Sequence, residues 1–106
     1  MEDMTVAPAA AQDMAQSAKE AATYLKTLAH EGRLMILCHL GVGEKSVGEL
    51  EALLNIRQAA VSQMLARLRD EDLVKTRRAG KTIYYSLNDD NTARLIAHLH
   101  RMFCET

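Results

Sequence analysis

The chain has 106 residues, a formal net charge of −1 and only two cysteines. Its length suits one domain with a modest core, its composition is that of a soluble globular protein, and no apolar run is long enough to cross a bilayer. Because no basic, apolar leader opens the sequence, we expect a reducing, cytoplasmic compartment, which argues against a disulfide-stapled scaffold.

Residues 1–10 are predicted to form a flexible tail, and residues 11–106 are predicted to form one domain. An alanine-rich run at residues 10–29, free of glycine and proline, predicts a helix. Its apolar residues recur at intervals of three and four, so they form a heptad-like stripe. Such a stripe packs on another helix, either of the same subunit or of a partner.

A second and a third helix are predicted from stop and start signals. Residues 31–40 are periodic, and Gly41 and Gly43 are expected to end that helix. Residues 46–49 read Ser-Val-Gly-Glu, a capping box in which the serine and the glutamate satisfy each other's backbone groups. A short helix is therefore expected to follow and to end near Leu54.

The next segment predicts a polar-faced helix. After a break at residues 55–56, residues 58–71 carry an apolar stripe made of Val61, Leu65 and Leu68. The opposite side presents hydrogen-bonding and basic side chains: Gln58, Ser62, Gln63 and Arg67. A short helix, a tight turn and a polar-faced helix form the helix-turn-helix pattern.

Two β-like runs follow, at residues 73–78 and 82–87, and Gly80 between them supplies the positive φ of a tight turn. Basic side chains flank the tip of this hairpin: Arg77, Arg78 and Lys81. A basic hairpin directly after a helix-turn-helix is a wing. The predicted fold is thus mainly α with a small β-hairpin: a winged helix-turn-helix of five helices plus a two-stranded wing.

The fifth helix is predicted over residues 90–103, starting from an Asn-Asp-Asp-Asn cluster at residues 88–91 that suits a helix N-terminus. It carries a second apolar stripe. Two such stripes at opposite ends of a small chain predict a homodimer built from both terminal helices.

The charge distribution favours nucleic acid in spite of the net charge. From Arg57 to Lys81 there are seven basic and three acidic residues, a net charge of +4, whereas the rest has six basic and eleven acidic residues, a net charge of −5. A basic segment on an acidic body is the layout of a phosphate-binding face.

Three segments resemble the ArsR family of bacterial repressors: LAHEGRLMIL at residues 28–37, QAAVSQMLARL at 58–68 and GKTIYYSL at 80–87. The sequence departs from the family pattern at Arg57, where many members have serine, and at Met64, where many have histidine. The resemblance implies a homodimer that binds operator DNA and releases it when an inducer arrives.

Such a dimer places two recognition helices in successive major grooves, so the operator should be an inverted repeat. We expect Gln58, Ser62 and Gln63 to contact base edges, and Arg67 to contact the backbone. Three basic residues of the wing would bind phosphates or enter the minor groove: Arg77, Arg78 and Lys81.

The two cysteines resemble the reactive pair of a thiol-based subclass of the family that senses persulfides. The resemblance implies that reactive sulfur species join Cys38 and Cys104 by a disulfide or a longer sulfur bridge. A metal-responsive repressor using His100 and Cys104, and a haem- or peroxide-responsive regulator using the same thiols, are the alternatives. The family's cysteine metal motif is absent from residues 43–49, no cofactor is predicted, and no catalytic constellation indicates an enzyme.

A geometric hypothesis follows for the selectivity of the cysteine pair. A direct disulfide needs Cα atoms about 4.4–6.8 Å apart, and each inserted sulfur extends the reach by up to about 2 Å. We expect the reduced cysteines to lie too far apart for easy disulfide formation, so that a polysulfide bridge fits better.

Overall fold

A computed structural model describes residues 11–104, which form five helices and three strands. In chain order these are α1 (Ala11–Leu28), α2 (Glu31–Val42), β1 (Lys45–Ser46), α3 (Val47–Leu54), α4 (Gln58–Asp70), β2 (Val74–Ala79), β3 (Thr82–Leu87) and α5 (Asp90–Phe103). The predicted order of elements and the winged helix-turn-helix fold are confirmed. The predicted tail at residues 1–10 lies outside the described residues.

The sheet of the described part of the chain has three antiparallel strands in the order β1-β3-β2, so the wing is not the predicted two-stranded hairpin. The extra strand, β1, pairs Lys45 with Tyr85 and Ser46 with Tyr84. Two residues are too few to show the alternation by which a strand is recognised in a sequence. The hairpin itself is as expected, with Gly80 at a φ of 63° in its turn.

Of the two glycines expected to end α2, Gly43 follows the helix as predicted, whereas the expectation for Gly41 is wrong, because the helix continues to Val42. Gly41 lies where α2 packs on α5, and a Cβ atom built on it would be 3.7 Å from Cγ2 of Ile96. Tertiary packing therefore outweighs the low helix propensity of glycine. Gly43, the residue after the helix, has a φ of 167°, which is extended backbone open to any residue.

Side-chain hydrogen bonds cap the N-termini of α3 and α5, as the sequence predicts. The amide of Glu49 donates to Oγ of Ser46 at 3.1 Å, and the amide of Ser46 donates to Oε1 of Glu49 at 2.9 Å, which completes the capping box of α3. At the start of α5, Oδ1 of Asp89 accepts from the amide of Thr92 at 2.8 Å. Arg57, at the start of α4, makes no side-chain cap, so α4 depends on packing.

The core lies between α2, α3, α4, the base of the wing and α5. Its apolar members are at most 4% exposed, and they include all three residues of the stripe predicted for α4: Leu28, Ile36, Leu37, Leu40, Leu50, Val61, Leu65, Leu68, Leu73, Val74 and Ile96. Burying one such side chain contributes about 1.5–3 kcal/mol. The core thus fixes one face of α4 and leaves the other to solvent.

Polar contacts attach α1 to the rest. Nε of Arg33 donates to the carbonyl of Thr27 at 2.7 Å, at the α1–α2 corner where the last carbonyls of α1 need partners. The hydroxyls of Tyr24 and Thr92 are 2.9 Å apart and share a hydrogen bond between α1 and α5. Because Thr92 is fully buried, this bond orients α1 along α5.

Candidate nucleic-acid interface and thiol site

The helix-turn-helix consists of α3, a three-residue turn and α4. Asn55 ends α3 in the left-handed region at a φ of 55°, and its amide donates to the carbonyl of Glu51 at 2.9 Å. Asparagine tolerates this conformation better than most residues. The sharp turn lets α3 and α4 pack on each other, so α4 projects a fixed face.

All four sequence-predicted contacts of α4 are exposed: Gln58, Ser62, Gln63 and Arg67. Ser62, Gln63 and Arg67 lie away from the buried stripe, whereas Gln58 lies on the stripe's side of the helix and is exposed at its N-terminal end. Gln58 and Ser62 lie one turn apart near the start of the helix, where amide and hydroxyl groups can hydrogen-bond to base edges. Arg67 lies in the last turn, with its Nε 3.7 Å from Oε1 of Glu71. This exposed pair is weak, so it does not prevent Arg67 from meeting a phosphate.

The tip of the wing carries two exposed cations. Arg78 stands opposite Ile83 in the β2–β3 register, and Lys81 lies in the two-residue turn next to Gly80. Both project beyond the part of the hairpin that contacts the core. Their position suits contacts with a sugar–phosphate backbone.

Arg77 is also exposed, but the structure engages it inside the wing. Its Nε donates to Oε2 of Glu44 at 3.2 Å, its Nη2 pairs with the other carboxylate oxygen, and its guanidinium lies 4.9 Å from the ring centroid of Tyr84. Hydrogen bonding to Arg77 lowers the pKa of Glu44, and the same bonds raise the pKa of Arg77. The charge of Arg77 is therefore partly offset in the free protein, and its contact with phosphate stays a prediction.

Sequence patterns could not identify Glu44 as the partner of Arg77, because 33 residues separate them. The strand register brings them together. Tyr84 pairs with Ser46 of β1 on one side and with Arg77 of β2 on the other. Side chains paired directly across strands share one face of a sheet, so Arg77 reaches Glu44 across the ring of Tyr84.

The structure places the two predicted sensing thiols on neighbouring elements. Cys38 is half-buried on α2, Cys104 is exposed directly after α5, and neither is in a disulfide. Cys38 lines one cavity together with His100 and Arg101, the residues of the turn before Cys104. Burial raises the pKa of the Cys38 thiol, and the charge of Cys104 raises it further.

A cavity of about 280 Å³ lies between α2 and α5, beside Cys38. It is lined by small or apolar side chains and by two basic ones: Cys38, Gly41, Val42, Ala93, Ile96, Ala97, His100 and Arg101. Cys38 is therefore open to a small reagent despite its burial. A thiol in an apolar core would be inert, and the cavity argues against that alternative.

The metal-responsive alternative rested on His100 and Cys104, which lie one turn apart at the end of α5, where the amide of Cys104 donates to the carbonyl of His100 at 2.8 Å. Among residues 13–104, no three or more histidine, cysteine, aspartate or glutamate side chains are grouped so as to hold a metal ion. In the same part of the chain, no helix is long and apolar enough to cross a membrane.

A helix-turn-helix followed by a basic antiparallel wing defines a winged helix-turn-helix DNA-binding protein. Residues 30–76 match the family described as "Bacterial regulatory protein, arsR family". The Biofilm growth-associated repressor of Agrobacterium fabrum is 54% identical over 91 residues, which cover 86% of this chain and 78% of that protein. The chain therefore belongs to the ArsR family of bacterial regulatory proteins.

Solved structures agree with this assignment. Reduced HlyU from Vibrio cholerae superimposes with a TM-score of 0.84 at 43% identity, over 88% of this chain and 98% of that chain. The transcriptional repressor BigR from Xylella fastidiosa gives a TM-score of 0.80 at 46% identity, over 88% and 92% of the two chains. The protein is thus a DNA-binding transcription regulator and not an enzyme.

The wing analysis predicts unequal roles for neighbouring arginines. Arg78→Gln should weaken binding to specific and random duplexes alike, and the slope of log affinity against log salt concentration should fall by about 1. Arg77→Gln should cost less, since Glu44 already offsets that charge. Salt titrations with both duplexes measure this. A loss for Arg77→Gln equal to that for Arg78→Gln would contradict it.

The thiol environments predict different reactivities. Iodoacetamide should alkylate Cys104 before Cys38 near neutral pH, because Cys104 is exposed and the raised pKa of Cys38 leaves less thiolate. The rate at Cys38 should continue to rise as the pH increases beyond the ordinary thiol range. Peptide mass mapping after short exposures measures both sites, and the single serine variants confirm the assignments. Faster alkylation of Cys38 at neutral pH would overturn the prediction.

Proposed function

We propose that this protein is a homodimeric transcriptional repressor that binds an inverted-repeat operator and is released when persulfides or polysulfides modify Cys38 and Cys104. The observation that carries the proposal is the arrangement around α2, which packs against α4 and α5 and carries Cys38. The sensing thiol and the DNA-reading helix thus share one supporting element. The relatives described as repressors favour repression.

Two exposed surfaces, the polar side of α4 and the tip of the wing, are proposed to bind DNA. In a two-fold dimer, two copies of α4 enter successive major grooves about one helical turn apart. Gln58, Ser62 and Gln63 contact base edges, while Arg78 and Lys81 hold phosphates from the wings. Arg67 and Arg77 add backbone contacts once DNA competes with Glu71 and Glu44 for them.

Exposed apolar side chains on the terminal helices support a homodimer. On α1, Met14 and Leu25 are 49% and 53% exposed, and on α5, Met102 and Phe103 are 57% and 77% exposed. Of the predicted α1 stripe, only Leu28 is buried within the chain. A two-fold contact would cover these residues in both copies at once, because such an interface uses the same patch twice.

The proposed sensing chemistry needs no oxidant other than the sulfur donor. One cysteine thiolate attacks the outer sulfur of a persulfide R–S–SH, which gives Cys–S–SH and releases R–SH. When both cysteines have gained a sulfur, one persulfide attacks the cysteine-bound sulfur of the other, which forms a trisulfide and releases H₂S. The same attack by an unmodified second thiol gives a disulfide and H₂S, but the expected separation of the cysteines favours the longer bridge. Free thiols of this kind fit a reducing cytoplasm.

Release of DNA requires that the bridge favour a state with lower operator affinity. The bridge would tie α2 to the end of α5, and α2 also contacts α4. Because packed interiors transmit small shifts, a change in α2 alters the support of the recognition helix. A coupling of about 1–3 kcal/mol lowers affinity about 5- to 150-fold.

The dimer proposal is tested by a matched pair of variants. Leu25→Glu should convert the dimer into a monomer and weaken operator binding by about 100-fold or more, because it buries two like charges in the interface. Leu53→Glu places the same charge on α3 at a leucine that is 50% exposed, against 53% for Leu25. Light scattering should give the Leu53→Glu variant the mass of a dimer. A monomeric wild-type protein would refute the proposal.

The sensing proposal is tested by intact-mass analysis and operator binding in parallel. An organic persulfide should add sulfur, bridge Cys38 to Cys104 and lower operator affinity, whereas hydrogen peroxide, glutathione disulfide and zinc should leave affinity nearly unchanged. Cys38→Ser and Cys104→Ser should bind operator normally and ignore the persulfide. Zinc-dependent release with unmodified thiols would replace the persulfide proposal by metal sensing.

A further inference from the structure

We propose that the cavity between α2 and α5 binds the organic part of a small, carboxylate-bearing persulfide and presents its outer sulfur to Cys38. This inference rests on the proposed persulfide sensing and specifies the class of donor. It makes the protein selective for the carbon skeleton of the donor as well as for its sulfur.

The size of the cavity limits the donor. Its volume of about 280 Å³ lies just below the range of about 300–1,000 Å³ that is usual for small-molecule sites. There is room for a skeleton of a few carbon atoms with one polar group. The cavity is also open at one side, since Val42 in its lining is 84% exposed, so a donor can enter without unfolding α5.

The cavity lining has an apolar part and a basic part. Ala93, Ile96 and Ala97 form an apolar wall on α5, and Gly41 opposite leaves space on α2 because it has no side chain. Arg101, one turn beyond Ala97, also lines the cavity and is exposed, so its guanidinium can reach the end of this wall. An apolar wall that ends in a guanidinium complements a short carbon chain that ends in a carboxylate.

Bound in this way, the donor meets Cys38 with its sulfur end. The Cys38 thiolate attacks the outer sulfur of R–S–SH, the donor S–S bond breaks, and R–S⁻ leaves and takes up the proton that the Cys38 thiol has lost. The products are Cys38–S–SH and R–SH, so atoms and electrons balance. Binding also raises the effective concentration of donor at Cys38, which offsets the small thiolate fraction of a half-buried thiol.

Cys104 is not among the residues that line this cavity. It follows α5 and is exposed, so any donor in solution reaches it. The choice between donors is therefore made at Cys38, and Cys104 completes the bridge. A Cys104→Ser background isolates the selective step.

The experiment measures the rate of sulfur addition to Cys38 in full-length Cys104→Ser by mass spectrometry. Three donors are compared: the persulfide of 3-mercaptopropionate, the persulfide of 2-mercaptoethanol, and inorganic polysulfide. The carboxylate donor should react up to about fivefold faster than its neutral counterpart, because an ion pair with an exposed arginine is weaker than a buried ionic hydrogen bond. Arg101→Gln should remove that advantage and leave the rate with the neutral organic donor unchanged.

Two further variants separate binding from folding. Ala97→Leu fills the cavity and should slow both organic donors. Arg94→Gln is the matched control, because Arg94 lies on the same helix outside the cavity lining, where its Nη2 donates to Oδ1 of Asn91 at 2.6 Å. It should react like the parent. As a binding readout without transfer, 3-(methylthio)propionate should slow alkylation of Cys38 by iodoacetamide in the parent and not in Arg101→Gln.

The outcomes distinguish this inference from the proposed function. Equal rates for the two organic donors, or an unchanged advantage in Arg101→Gln, overturn the cavity assignment while leaving persulfide sensing intact. Failure of every donor to bridge the wild-type protein and release operator overturns the sensing proposal. Arg101-dependent protection of Cys38 by the thioether would still establish the cavity as an anion site.

Discussion

The burial of one face of α4 is the constraint on which the other features depend. Val61, Leu65 and Leu68 are completely buried, so α4 cannot rotate without exposing them, and burial of each contributes about 1.5–3 kcal/mol. Because Arg57 makes no side-chain cap, α4 depends on this packing for its stability. The packing also decides which polar side chains face solvent. A DNA-reading surface needs that rigidity, because hydrogen bonds to base edges demand a fixed orientation.

One of the elements that hold α4 in place is α2, which contacts most of the other elements. It packs against α1, α3, α4, α5 and β3. Its buried residues Ile36 and Leu37 belong to the same core as the α4 stripe, while Cys38 turns toward the α5 side and the cavity. The modification of Cys38 that we propose would therefore act on a helix that is packed on several sides, and packed interiors transmit small shifts.

The charged side chains are distributed unevenly over the fold. The chain as a whole carries a net charge of −1, yet exposed cations cluster on the wing tip, where Arg78 and Lys81 lie. Glu44 pairs with Arg77, whose guanidinium lies over the ring of Tyr84. The wing therefore presents fewer free cations than its sequence carries, and nonspecific affinity for nucleic acids grows with the number of free cations.

The sequence by itself determined the order of elements, the α4 face and the basic hairpin, because these depend on local signals: periodicity, the Ser46 capping box and the positive φ of Gly80. It could not determine β1, the continuation of α2 through Gly41 or the Glu44–Arg77 pair. Each of these depends on contacts between residues far apart in the chain, which local patterns do not record. Only the tertiary structure placed Cys38 beside a cavity on α5 and within electrostatic reach of Cys104, because helix packing, and not spacing along the chain, decides which side chains meet.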